Sequence, residues 1–369
     1  MIMPKKRKKY QARPAHKSEK VRPDQVRKVN PQEIKVTIIV VCLLVFAFSL
    51  YLFSLPTQTS GILTSLLAFL LFMSVYLLML NPSVIMSWRY RLQSSPALLY
   101  IFPLLLWLLY TLYSFLSDQL SLLSVLDSFI ICFLPLLLTL SLRNKAAKLH
   151  AVDFMIIFLL WFAVEWDLVS DVTIPKVQGE INLLRVVSVI MIIYLYYIIR
   201  SMPVKLLDWK LKAGQIQKAV QIFVIAFPVL LFLGFSFDVI KPLDRFPSLT
   251  ALFFSFLFIA FFTALPRELL FRAVFHTLLQ KRLGKTSYIP ALVISSLFYG
   301  LSFIYIQQSS AIKLEVSDWF TLDLPWAAMI MAAVTGFFYG YVYIKTQRLM
   351  ASTLVHLLIV WAWGILFYP

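Results

Sequence analysis

VTIIVVCLLVFAFSLYLFSL, from Val36 to Leu55, is twenty residues long and carries no charge. GILTSLLAFLLFMSVYLLML, from Gly61 to Leu80, repeats the pattern after the short polar stretch Pro56 to Ser60. A helix needs about 20 mostly apolar residues to cross roughly 30 Å of bilayer hydrocarbon. Further runs of this kind lie at about 97–116, 125–142, 151–169, 181–199, 218–237, 249–280, 287–306, 325–345 and 349–368. The 249–280 run is too long for one simple span, and Pro266 is expected to divide it. The whole chain is 61% hydrophobic and 14% charged, with 32 Phe, whereas soluble domains are about half apolar and about a quarter charged. A water-soluble fold has no place for that surface. The sequence therefore predicts an all-α polytopic membrane protein of about eleven transmembrane helices, with the lipid bilayer as its first partner.

Loop charges give an orientation. Lys and Arg collect in cytoplasmic loops. With the N-terminus inside and the sides alternating, the inside connections receive Arg89 and Arg91, then Arg143, Lys145 and Lys148, then the run from Arg200 to Lys218. Lys281, Arg282, Lys285, Lys345 and Arg348 follow on the same side. Most acids fall opposite, among them Asp118, Asp171, Glu180, Asp238, Asp244, Glu315 and Asp323. This pattern places the N-terminus in the cytosol and the C-terminus across the membrane.

Residues 1–35 carry 12 Lys or Arg against 3 acids. The segment lacks apolar periodicity and reads as a disordered basic cytosolic tail. Its run Lys5 to Lys9 fits a topogenic signal that also touches anionic lipid head groups better than it fits a nucleic-acid contact. Cys42 and Cys132 lie within apolar runs and read as packing residues; they build no disulfide framework and no metal site.

The chain divides into an N-terminal group of spans with a basic amphipathic connector at 200–217 (together 36–217) and a C-terminal core, 218–369. The acids at membrane depth in the first part are Asp127, Asp153, Glu165 and Asp167, each near a span end. They read as interfacial residues reaching water, with a transport path as the competing reading. In the second part, Glu268 and Arg272 stand i,i+4 with the acid first, the favourable order for an ion pair on one helix face. His276 continues that face, and His356 sits in the middle of the last run. A structural ion pair and a hydrogen-bonded His are the plain readings of these residues.

Three motifs give the C-terminal part a resemblance. Arg267-Glu268-Leu269-Leu270-Phe271-Arg272, then Ser295 to Phe303, then Gly336 to Gly340 with Tyr343, Thr346 and Leu349 to His356 resemble, in order, the motifs of the CPBP family. This family comprises the CAAX-protease and bacteriocin-processing membrane proteins, also called Abi. Its patterns are Glu-Glu-x-x-x-Arg, a second motif ending Phe-Gly-Leu-x-His, and a third ending His-x-x-x-Asn. The resemblance implies an intramembrane endopeptidase core. In active relatives, the first Glu and the motif-two His activate water, and the motif-three His and Asn stabilise the oxyanion.

This chain keeps Glu268, Arg272 and His356 but has Arg267, Phe303 and Val360 where the resemblance places the first Glu, the second-motif His and the final Asn. Arginine cannot accept a proton near neutral pH, and phenylalanine cannot hold water. The expectation is a pseudoprotease that binds a membrane protein or lipidated polypeptide client without cleaving it. Two alternatives stand beside it: an active endopeptidase with a rearranged site built on Glu268, His276 and His356, with or without a metal, and a membrane transporter. The sequence names no cofactor.

Overall fold

The structure is a computed structural model that describes residues 31–53, 59–95, 97–143, 145, 148–170, 172–176, 179–203, 210–243, 246–284, 287–305, 312–317 and 320–368. The basic tail up to residue 30 and residues 204–209 of the amphipathic connector lie outside this set. Helices dominate the rest. In chain order they are α1 (Pro31–Phe53), α2 (Thr59–Met79), α3 (Pro82–Ser94), α4 (Leu98–Leu116), α5 (Leu122–Leu140) and α6 (residues 151–165). The second group is α7 (Leu183–Ile199), α8 (Ala213–Ser236), α9 (Leu249–Leu283), α10 (Tyr288–Leu301), α11 (Trp326–Thr346) and α12 (Leu349–Leu366).

Every apolar run falls on a helix, and eight described helices are long and apolar enough to cross a membrane. This is an integral, multi-pass helical protein. Of the eleven apolar runs, the helices α6, α7 and α10 are shorter than the other eight. At about 1.5 Å per residue, α7 is about 26 Å long and α10 about 21 Å. One of them, α7, is buried on all sides except near Arg185. A helix that is apolar all round belongs inside a bundle. Outward-facing Leu43, Phe46, Leu105, Leu112, Phe232 and Phe253 form the complementary surface, where lipid is the solvent.

Three further features depart from the sequence reading. Residues 31–35, assigned to the tail, already belong to α1, and 213–217, assigned to the connector, begin α8. The loop holding Arg89 and Arg91 is the helix α3, started by Pro82 and by Asn81, whose side chain accepts from the Ser83 N–H. Proline at the first helical position is favoured because its missing N–H has no intrahelical partner there. Arg89 is buried and donates to the carbonyls of Tyr197 and Met202, so it caps the end of α7.

Pro266 does not divide α9. The helix runs 35 residues, about 50 Å at the usual rise, with π-helical stretches at Ile259–Ala264 and Leu269–His276 on either side of the proline. A proline ring clashes with the carbonyl four residues back in a regular helix. The widened turn immediately before Pro266 relieves that clash, and π turns of this kind gather at functional positions. Short antiparallel pairs close the loops: β1 (Thr173–Lys176) with β2 (Gly179–Asn182), β4 (Ile312–Ser317) with β5 (Phe320–Leu324), and β3 (Lys241–Pro242) with β6 (Phe367–Tyr368).

Helices α10 and α12 pack against the middle of α9, α11 is joined to it by the bond from Arg272 to the Gly336 carbonyl, and α8 lies against α11 and α12. Gly336 and Gly340 on α11 let this happen. A Cβ at Gly336 would meet Tyr299 Cδ1 at 2.9 Å and Arg272 Nη2 at 3.1 Å, and one at Gly340 would collide with Leu292. Small residues at helix interfaces allow such close approach in membranes.

Candidate functional site

The π-helical stretch of α9 begins at Leu269, so Glu268 and Arg272 straddle its first turn. Both side chains are fully buried, and Glu268 Oε2 lies 3.2 Å from Arg272 Nε. The rest of the guanidinium is also engaged: Nη1 donates to Ser295 Oγ at 3.3 Å and Nη2 to the Gly336 carbonyl at 2.7 Å. A buried charge is tolerated only when its donors are satisfied in this way. Arg272 thereby ties α9 to α10 and α11.

The other side of Glu268 faces α12. Its Oε1 lies 2.9 Å from His356 Nδ1, and its Oε2 accepts the Ser352 hydroxyl. An ionised carboxylate only accepts, so the hydrogen of the histidine contact sits on Nδ1. That leaves Nε2 facing the Tyr299 hydroxyl at 3.4 Å. Tyr339 stacks on the imidazole at 4.3 Å with 12° between planes, and Tyr299 meets it edge-on. The Tyr339 hydroxyl is buried without a hydrogen-bond partner among the described residues. The result is a carboxylate-oriented imidazole enclosed by two tyrosines, with no side chain of the Glu268–Arg272–His356 group exposed.

Arg267, one residue earlier, points elsewhere. Successive helical residues are turned by about 100°, and this carries Arg267 to the N-terminal half, where Nη2 lies 3.3 Å from Glu165 Oε2. Its Cζ also sits 4.8 Å from the centroid of the Phe303 ring, within cation–π range, and the guanidinium neighbours Tyr299. Glu165 is shared with Arg185 of α7 at 3.5 Å. The structure therefore brings positions 267 and 303 together as it brings together Glu268, Arg272 and His356. Val360, half-buried, stands one turn beyond His356 on α12 and offers no polar atom.

His276 belongs to a different neighbourhood. It is buried with Nδ1 3.5 Å from Ser295 Oγ and its ring edge-on to Tyr343, so it reaches the Glu268 group only through Ser295 and Arg272. Among the described residues no group of three or more His, Cys, Asp or Glu is placed to hold a metal ion.

The interfacial reading of the N-terminal acids is overturned at two positions. Asp153 is fully buried against Arg200, whose Nη2 also donates to the Lys148 carbonyl, and Glu165 is nearly buried between two arginines. A bare carboxylate at membrane depth is too costly, and a guanidinium within reach removes the need to find water. Asp167 is exposed, as expected, and Asp127 is half-buried, accepting from the Ser170 N–H at 2.7 Å. Asp127, Asp153 and Glu165 thus share no partner with one another.

Sequence reasoning missed Ser352 and Tyr339 as members of the centre. Ser352 had a legible signal, because it stands four residues before His356 on the same helix face. Tyr339 had none beyond its place between two glycines.

Residues 249–362, which span α9 to the body of α12, match the family model of type II CAAX prenyl endopeptidase Rce1-like proteins. The match is narrower than 218–369 and leaves α8 outside. No curated protein and no solved structure matches the chain.

Proposed function

We propose, starting from the CAAX-protease-family segment at residues 249–362, that this protein is a pseudoprotease that receives a membrane or lipidated polypeptide client without cutting it. One observation carries the reading. The two positions where the resemblance places the water-activating Glu and His are Arg267 and Phe303, and these two side chains stack on each other at 4.8 Å. A guanidinium cannot take a proton from water, and a phenyl ring offers water no hydrogen bond. Losing a general base alone costs about 10²- to 10⁴-fold in rate. Glu268, the nearest carboxylate on the same helix, is occupied by Arg272, His356 and Ser352.

Cleavage of prenylated CAAX-type peptides and model transmembrane substrates by the purified protein tests this. No cleavage above background is expected from the natural protein, and at most weak cleavage from Arg267→Glu combined with Phe303→His, since Val360 still replaces the Asn. Robust cleavage by the natural protein, lost in His356→Ala, would overturn the reading.

A second reading has one observation in its favour, the 2.9 Å contact between Glu268 Oε1 and His356 Nδ1. A carboxylate that orients an imidazole is the arrangement by which histidine serves as a base. Under this reading, an endopeptidase would use His356 Nε2, and Glu268→Gln would lower kcat while leaving KM nearly unchanged.

The orientation proposed from the loop charges, with a cytosolic N-terminus, an opposite-facing C-terminus and anionic lipid at the tail, is tested by reporter fusions after Leu80, Leu142, Ile199 and Pro369. A cytosolic report from the last fusion would refute it.

A further inference from the structure

A file of polar side chains leads from the partly exposed edge of the molecule to its buried centre. Arg185, 31% exposed at its side chain, contacts Glu165, which is 8% exposed. Glu165 contacts Arg267, 16% exposed, which covers Phe303 and neighbours Tyr299. Tyr299 in turn faces His356 Nε2, where exposure has fallen to zero. A cavity of about 30 Å³ lies at the outer end, lined by Tyr76, Asn182, Arg185, Thr263 and Pro266 among others. That is room for a water or two. The centre itself is closed, so a client group needs a way in, and Arg267 stands on this one.

Arg267 is held from outside its own core. Glu165 belongs to α6, 102 residues earlier in the chain. A long arginine side chain keeps its head near water when nothing holds it. A phenyl face alone is a modest anchor for a partly exposed cation, whereas a nearly buried carboxylate at 3.3 Å is a strong one.

We infer that Glu165 is a positioning residue for the C-terminal centre: it pins the Arg267 guanidinium over Phe303 and beside Tyr299, and the pinned arginine shuts the route to Glu268 and His356. The inference rests on the reading that the centre receives a client, and it gives the N-terminal half a role, as the part that keeps the protease-like core closed.

Acylation of histidines by diethyl pyrocarbonate, read peptide by peptide by mass spectrometry on the full-length protein in lipid nanodiscs, tests it. In the natural protein, half-buried His150 reacts and His356 does not. Glu165→Gln keeps the size and removes the charge; it is expected to raise the His356 rate at least about tenfold, a modest return for releasing a charge-assisted contact. His276, which lies beyond Arg272 against Ser295 and Tyr343, stays protected. Arg185→Gln leaves the Glu165–Arg267 pair in place and leaves His356 protected. Exchanging the charges, Glu165→Arg with Arg267→Glu, restores protection. If Glu165→Gln does not accumulate in the membrane, Arg267→Gln removes the same lid and should expose His356 equally. An unchanged His356 rate in the variant that accumulates overturns the inference, and so does parallel exposure of His276 and His356, the mark of general loosening. Peptide cleavage by the natural protein would end the client-binding reading and leave this labelling pattern to be judged separately.

Discussion

Arg267 and Glu268 are adjacent on one helix and belong to two different kinds of charge cluster. Glu268 sits at zero exposure among Arg272, His356 and Ser352, all from the C-terminal helices. Arg267 sits at partial exposure, and its carboxylate partner comes from the N-terminal half. The inner cluster holds a core together, because each of its charges would be stranded without the others. The outer cluster joins two parts of the chain, and if its Arg267 contact opened, Glu165 would keep a second arginine, Arg185. The difference is one of consequence on rupture rather than of bond length: the two arginine–carboxylate contacts are 3.2 and 3.3 Å long.

The sharpest way to break the comparison is Glu268→Ala. It leaves Arg272 buried without its counter-charge, a loss of about 3–5 kcal/mol for a broken buried pair. The folded fraction recovered from membranes and the thermal midpoint in detergent should both collapse. An unchanged midpoint would mean that the inner cluster bears no structural load. Asp153→Ala extends the test to the N-terminal half, where the buried Arg200–Asp153 pair is the counterpart of the inner cluster. Arg200 keeps its bond to the Lys148 carbonyl, so the loss should fall at the lower end, about 3 kcal/mol.

Gly340→Ala comes next. The added methyl would collide with Leu292 and approach the Arg272 guanidinium at 3.5 Å, and overpacking of this kind costs about 1–3 kcal/mol. Gly364, with open space around its position, provides the control, since Gly364→Ala should not lower the midpoint. The smallest effect is expected from Phe303→Leu. It removes the aromatic face under Arg267 and should cost about 0.5–1 kcal/mol, a small shift in midpoint with no loss of membrane insertion. A loss as large as that of Glu268→Ala would erase the distinction between the two clusters.

Much of the inner cluster was legible because its signals are local. The i,i+4 spacing of Glu268 and Arg272 states their pairing within a helix, and a histidine in the middle of an apolar run announces a partner. The outer cluster was only half legible. Arg267 and Phe303 stood out against the motif pattern, but nothing local says that they touch each other or that Glu165 reaches them from 102 residues away. The same limit explains Asp153 and Glu165: lying near the end of a run suggested water, and only the packing of α7 against its neighbours supplied arginines in its place. Pro266 failed as a boundary because a proline breaks a regular helix but not one whose preceding turn has already widened.

The sequence by itself determined the solvent. Long uncharged runs in a chain that is 61% hydrophobic leave the bilayer as the environment and the helix as the element, because backbone polar groups in hydrocarbon must be satisfied within their own segment. It also marked Arg267, Phe303 and Val360 as positions where the resemblance expects other residues. Tertiary structure decided which of the short runs became an enclosed central helix, which carboxylate each arginine found, and that the altered positions 267 and 303 meet. Those outcomes depend on which helix faces lie together, and lipid-like residues on every face leave that choice to packing and to a few buried charges.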